Sequence, residues 1–197
     1  FIDRARFFIS DLKLVREGGL EVVVLDSFWL PLVTGDSVYL EDNFAKLDRD
    51  IFQATTIGTV KTNGLFSGLK FTLGLSELVQ QAKVDTLPEA HPLAVEFDKI
   101  SYRSDYGIIP NRLIFKPDTL PNTQPIDFRF LEPKQISLDF SQPVSVDRGF
   151  NVRLTLRMNY SRLFELVDFK NDSEAEMRAK IDSQLTKVFS VTALLLE

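Results

Sequence analysis

A chain of 197 residues, 44% hydrophobic and 26% charged, is long enough for one buried core and too apolar for wholesale disorder. A net charge of −5 and a pI near 5.0 exclude a general nucleic-acid binder, which needs basic surface to displace counterions. Zero cysteines exclude disulfides, thiolate catalysis and cysteine-based metal sites within the chain, and no apolar run reaches the roughly 18 residues of a membrane-spanning helix.

The opening stretch, residues 5–15, places Phe8, Ser10, Leu12 and Leu14 on one phase and Phe7, Ile9 and Asp11 on the other, which predicts a long strand. Gly18-Gly19 supplies the backbone freedom for a tight turn into a second strand over 20–25, completing a hairpin. Residues 37–41 predict a short strand after the Thr34-Gly35-Asp36 turn. A strand over 55–61, then Asn63-Gly64 and a returning strand over 66–73, form the strongest short-range hairpin signal in the chain. Ser76 is placed to cap a helical turn or two over 76–82. Pro88 and Pro92 predict an extended loop between 85 and 104.

Strands are then expected over 112–116, 126–131 and 135–140, separated by proline-bearing turns. Phe150, Val152, Leu154, Leu156 and Met158 alternate with polar residues in the cleanest strand pattern of all. Ser173 and Glu176 have the spacing of a capping box, and Met177, Ile181, Leu185 and Val188/Phe189 follow as one helical stripe. Residues 191–196 predict a closing strand or a tail packed on the core. The 17 phenylalanines suit pleated sheets. The expectation is an all-β fold, an antiparallel β-sandwich or open barrel, as a single domain over 1–197. It carries one C-terminal amphipathic helix and a short helical turn after the central hairpin.

Three segments resemble the MbnP-like family, named for a methanobactin-associated periplasmic protein. Phe7-Phe8-Ile9-Ser10-Asp11-Leu12-Lys13-Leu14 is similar to the opening "YYISdirL" strand, and Tyr39-Leu40-Glu41-Asp42 to the "YhLvD" element. Gly64-Leu65-Phe66-Ser67-Gly68-Leu69-Lys70-Phe71-Thr72-Leu73-Gly74-Leu75 is similar to the "G.y..i.F.lGvD" strand. His91-Pro92-Leu93 resembles the "HPL" turn that follows. The resemblance covers roughly the first half of the chain. It implies a secreted or lipid-anchored β-sandwich of the bacterial cell envelope, in some members binding one copper ion through histidines beside an oxidised tryptophan.

The family's tryptophans sit in a "MfW.W..GY" segment after that turn. Here residues 95–107 hold neither tryptophan nor methionine, and no second histidine exists for the later histidine-glycine motif. His91 is the one metal-ligand candidate carried over, with Met158 and Met177 as thioether donors elsewhere. The strand alternation and the helix stripe predict that both methionines are core.

Catalytic chemistry is sparse. A serine triad would have to use His91, and no Gly-x-Ser-x-Gly elbow is present. Asp48-Arg49-Asp50 and the 139–147 stretch lack the calcium-loop pattern, and no glycine-rich phosphate loop exists. The expectation is a non-enzymatic module with no cofactor, copper being the alternative. Phe28, Trp29, Leu30 and Leu32 form the candidate partner-contact patch, because consecutive large apolar groups cannot all face inward from one strand. Trp29 itself is expected to be a packing anchor first and an exposed contact second.

The predicted role is a binding or structural module, an accessory subunit of a larger surface or outer-membrane assembly. Its expected partners are other envelope proteins and no nucleic acid. The chain opens on Phe1-Ile2-Asp3-Arg4 without a signal peptide, as the trimmed start of a longer precursor would. Membrane association is expected only through a lipidated cysteine upstream of Phe1. The alternatives are an altered copper site around His91 and a carbohydrate-binding sandwich, the latter on fold analogy.

Overall fold

The computed structural model describes residues 1–24, 26–50, 56–94, 102–103, 107–147, 149 and 152–196, the side chains of 103 and 192–196 excepted. In chain order the strands begin with β1 (Ile2–Arg16), β2 (Glu21–Val23), β3 (Ser27–Pro31), β4 (Ser37–Glu41), β5 (Ala45–Asp48) and β6 (Gly64–Leu73). Helix α1 (Glu77–Gln80) precedes β7 (Tyr102–Arg103), β8 (Gly107–Ile108), β9 (Asn111–Phe115), β10 (Ile126–Arg129), β11 (Lys134–Val146) and β12 (Val152–Met158). Helices α2 (Tyr160–Leu163) and α3 (Glu174–Gln184) then lead to β13 (Phe189–Leu196). The fold is antiparallel β with a C-terminal helix, and its sheets do not close into a barrel.

The chain divides into two compact units. Unit 1 comprises Phe1–Leu12, Val24–Thr59 and Phe71–Lys134; unit 2 comprises Lys13–Val23, Val60–Lys70 and Gln135–Glu197.

In unit 1 the first part of β1 pairs with β5, through Phe7↔Leu47 and Phe8↔Lys46, and with β9, through Ala5↔Leu113; β9 pairs in turn with β10. Phe7, Phe8, Ile9 and Ser10 are all buried, so both phases of this strand are covered. The buried Ser10 hydroxyl donates to the Gly74 carbonyl at 2.8 Å, which removes the cost of its desolvation. Asp11 has a left-handed φ of 52°, and its N–H donates to the buried Asn43 side chain; aspartate tolerates that conformation better than most residues. Leu30, Leu32, Phe44, Leu75, Val79 and Leu93 pack with Phe8 in one cluster. Ser76 caps α1 as expected, its hydroxyl accepting from the Val79 N–H. Gly107 has φ 78°, and a side chain there would collide with the Gln80 carbonyl at the end of α1. Only glycine permits that approach.

In unit 2 the last part of β1 turns at Gly18 and Gly19, both at positive φ, into β2, with the register Lys13↔Val23 and Val15↔Glu21. Strand β6 lies between β1 and β11. Strands β12 and β13 pair over seven positions, with a register shift after Thr155. The capping box of α3 is complete: the Glu176 N–H donates to the Ser173 hydroxyl, and the Ser173 N–H donates to the Glu176 carboxylate at 2.8 Å. Met177, Ile181 and Leu185 are buried, as the helical spacing predicts.

Several expectations change. Residues 56–63 are not a strand, so Asn63-Gly64 is not a hairpin turn; Thr55 lies outside the described residues. The run has threonine on both phases, Gly58 on one and Lys61 on the other, and neither phase offers a continuous apolar face to bury. Strand β6 takes its partners from distant β1 and β11 instead. Strand β11 extends through Pro143 to Val146, well past the expected end. Met158 is half-buried on β12 rather than core, as are Leu154 and Leu156. Phe150 lies outside the described residues, as does most of 95–107.

Candidate functional site

Strands β3 and β4 form a two-stranded antiparallel sheet in unit 1, pairing from Ser27↔Glu41 through Trp29↔Tyr39 to Pro31↔Ser37 without a bulge. Because side chains alternate across a strand, the hairpin has two faces of opposite character. Leu30 is fully buried, Leu32 is buried just beyond the strand, and Phe28, Val38 and Leu40 pack against the same cluster. Trp29 and Tyr39 point the other way and are 65% and 59% exposed. Their rings lie 5.3 Å apart at 52°, and the Tyr39 hydroxyl hydrogen-bonds the Ser27 hydroxyl.

The predicted contact patch is therefore redistributed. Leu30 and Leu32 are core residues and Phe28 is half-buried against them, so none offers a free surface. Trp29 is exposed rather than a packing anchor. Its companion Tyr39 was legible in the sequence only as a strand residue; the missing signal was the register that sets it opposite Trp29.

His91 occupies the inner side of the same region. Its side chain is only 9% exposed and stacks 4.8 Å from the Phe28 ring and 6.3 Å from Phe44. The Leu93 N–H donates to Nδ1 at 3.1 Å. That assigns the proton to Nε2, which then donates to the Asp42 carboxylate at 3.1 Å. Burial lowers the His91 pKa below its ordinary value, and the Asp42 carboxylate only partly offsets this. The ring is a neutral brace between the 88–94 turn and the end of β4.

A copper ion held as the sequence resemblance implies would need imidazole, thiolate or thioether donors converging on one point. His91 has both ring nitrogens engaged, and the groups around it are phenyl rings and one carboxylate. Met158 is half-buried on β12 and Met177 is buried on α3. Among the described residues no group of three or more His, Cys, Asp or Glu side chains is placed to hold a metal. The described groups around His91 do not by themselves supply such a donor set.

Several carboxylates elsewhere are held in ion pairs and turns. Burial alone would raise Asp127, but hydrogen bonds from Arg112 at 2.8 Å and from Arg129 at 2.9 Å hold it below its ordinary value. Asp172 is lowered by the Lys180 ammonium at 2.6 Å, and Asp168 by the Asn171 side chain. These shifts favour the ionised form, opposite to what a general acid requires. A surface depression of about 230 Å³ lies at the tip of the β3–β4 hairpin, between Val33, Gly35, Lys83, Asp85 and Tyr102.

Comparison with known families and with curated proteins finds no match. Among solved structures there is one clear likeness. The chain shares the fold of MbnP from Methylosinus trichosporium. The TM-score is 0.55 at 15% identity, over 98% of this chain and 87% of MbnP. At that identity the likeness establishes the fold. The MbnP likeness extends across nearly the whole chain, beyond the first half where the sequence resemblance lies.

Proposed function

We propose that the chain is a non-catalytic binding module of the bacterial cell envelope, secreted or lipid-anchored, and an accessory subunit of a larger surface or outer-membrane assembly. The envelope placement is supported by the fold shared with MbnP and by the family motifs at 7–14, 39–42 and 64–75. The observation that carries the binding role is the exposed Trp29–Tyr39 pair on a hairpin whose other face is anchored in the core. A tryptophan buries on the order of 200 Å² in an interface. Trp29 is 65% exposed, so at ~25 cal/mol per Å² its remaining surface is worth about 3 kcal/mol of gross apolar stabilisation, enough to anchor an interface. The rigid hairpin leaves little ordering cost to offset it.

The test is a photo-reactive tryptophan analogue incorporated at position 29 in the native host, which keeps the indole ring at the chain's single tryptophan, followed by cell fractionation. The expected result is crosslinking to one envelope protein in the membrane or periplasmic fraction, with that association lost in Trp29→Ala. A chain recovered as an uncrosslinked monomer, or in the cytoplasmic fraction, overturns the reading.

A second reading, a saccharide platform, draws on the same pair, since sugar C–H faces stack on exposed aromatic rings. Ser27 and Glu41 beside the rings offer hydroxyl and carboxylate partners. The 52° tilt between the rings counts against it, because it leaves no flat strip. Trp29 is the single tryptophan of the chain, so its fluorescence reports directly on oligosaccharide titrations. An unchanged spectrum at millimolar sugar removes this reading.

A further inference from the structure

The outer edge of β4 deepens the protein-binding reading, on which this inference rests. The Leu32 N–H bonds the Asp36 carbonyl, and the Asp42 N–H bonds the Asp26 carbonyl. The hydrogen-bonded rungs of the ladder are thereby the even-numbered pairs, including Phe28↔Leu40 and Leu30↔Val38. The odd residues of β4, Ser37, Tyr39 and Glu41, aim their backbone N–H and C=O groups away from β3. On the far side of β3 the matching groups are partly used: the Pro31 carbonyl accepts from the Lys83 N–H, and the Val33 N–H donates to the Gln81 carbonyl. Strand β4, among the described residues, pairs with β3 alone.

Exposed edges are ordinarily blunted by lysine, proline or a bulge, because an open row of donors and acceptors templates another strand. Strand β4 has none of these: its sequence is Ser-Val-Tyr-Leu-Glu and its register is unbroken. Its charges are acids, Asp36 just before the strand, Glu41 at its end and Asp42 just after. An antiparallel pairing of two copies centred on Tyr39 would set Asp36 against Asp42 of the other copy. Like charges directly opposite destabilise a strand pair. The edge is thus open to a strand and set against its own copy.

We infer that β4 receives an extended, basic polypeptide segment as a third strand. Its backbone pairs with Ser37, Tyr39 and Glu41, and one of its side chains lies beside the Trp29–Tyr39 rings. Lysine or arginine near each end would meet Glu41–Asp42 at one side and Asp36 at the other. Main-chain bonds supply affinity in such strand additions, and charge complementarity sets partner choice and encounter rate.

The probe is a capped peptide, Lys-Thr-Val-Thr-Val-Thr-Lys, titrated into the intact chain with Trp29 fluorescence and calorimetry as readouts. Its controls replace both lysines with glutamates, or N-methylate alternate backbone amides. Saturable binding of the basic peptide is expected, weakened about tenfold or more by N-methylation, as loss of one to two backbone hydrogen bonds implies. Tyr39→Pro removes an N–H that β3 does not use, and should abolish binding. Should that variant fail to fold, the folded Asp36→Lys/Glu41→Lys double variant decides, with preference expected to switch to the acidic peptide.

Equal binding of the N-methylated peptide, unchanged preference in the double variant, or no saturation at millimolar peptide each overturn the inference. So does a concentration-dependent dimer lost in Tyr39→Pro. Crosslinking at position 29 with no peptide binding at β4 refutes the strand addition alone, whereas its absence together with saturable peptide binding refutes the envelope role alone.

Discussion

Two aromatic clusters share the β3–β4 hairpin and differ in almost everything else. On the inner face Phe28, Phe44 and His91 pack within about a ring's width of one another, and both imidazole nitrogens are hydrogen-bonded. On the outer face Trp29 and Tyr39 touch mainly each other and solvent. The residue types alone would have pointed the other way, since histidine is the usual ligand and tryptophan the usual core anchor. What separates them is unmet capacity. Both His91 ring nitrogens are engaged and little of the ring is exposed, while the tryptophan ring keeps most of its area available for a partner.

The largest effect that would sharpen this contrast is expected from Leu30→Ala. Leu30 is fully buried beneath the hairpin, and truncating such a leucine costs about 3 kcal/mol through lost burial and the cavity left behind. Urea denaturation followed by circular dichroism measures it. A change below about 1 kcal/mol would mean that the inner face is not the anchor proposed here.

His91→Ala comes next, at about 2 kcal/mol, because it leaves the Leu93 N–H without its acceptor and empties the space beside Phe28, while the 36% exposed Asp42 carboxylate turns to water. A variant as stable as the parent chain would show the imidazole to be a bystander. The same residue makes stability depend on pH. Its folded pKa lies below the ordinary value of 6.5, so the unfolded chain binds the proton more readily. The His91 contribution is then complete above pH 6.5 and is lost as pH falls through the lowered folded value. The single imidazole resonance of the chain should titrate below its ordinary midpoint in NMR. Comparing denaturation midpoints of the parent and His91→Ala across that window isolates the effect; an unshifted or raised midpoint contradicts the buried, neutral brace.

The smallest stability effect is expected from Trp29→Ala. The substitution removes the cross-strand ring contact with Tyr39 and should cost about 1 kcal/mol or less, yet it should remove the partner association entirely. A loss of 2 kcal/mol or more would place Trp29 among the packing residues and erase the distinction between the faces.

Much of the scaffold was legible locally. Residues 37–41 form a strand at the expected bounds, Gly18-Gly19 turns the first hairpin, and Ser173 with Glu176 builds the cap that starts α3. Each of these is specified by neighbours within a few residues. The threonine-rich run before Asn63-Gly64 shows the limit, since a turn dipeptide makes a hairpin only when both flanks have an apolar face to bury. The short strands β5, β7 and β8 carried no local pattern strong enough to announce them. At the site, Phe28-Trp29-Leu30 is three large apolar residues in a row, and alternation alone does not say which phase faces in.

The sequence by itself determined the antiparallel β class, the late capped helix and the poverty of metal donors, because periodicity, caps and composition are local or additive properties. Only the tertiary structure decided that His91 is braced by Asp42 and Leu93, that Trp29 stands opposite Tyr39 on the outside, and that β4, among the described residues, pairs with β3 alone. Those outcomes depend on strand register and on which distant segments cover each face. Register is settled by the burial of whole faces at once, and no short window of sequence contains it.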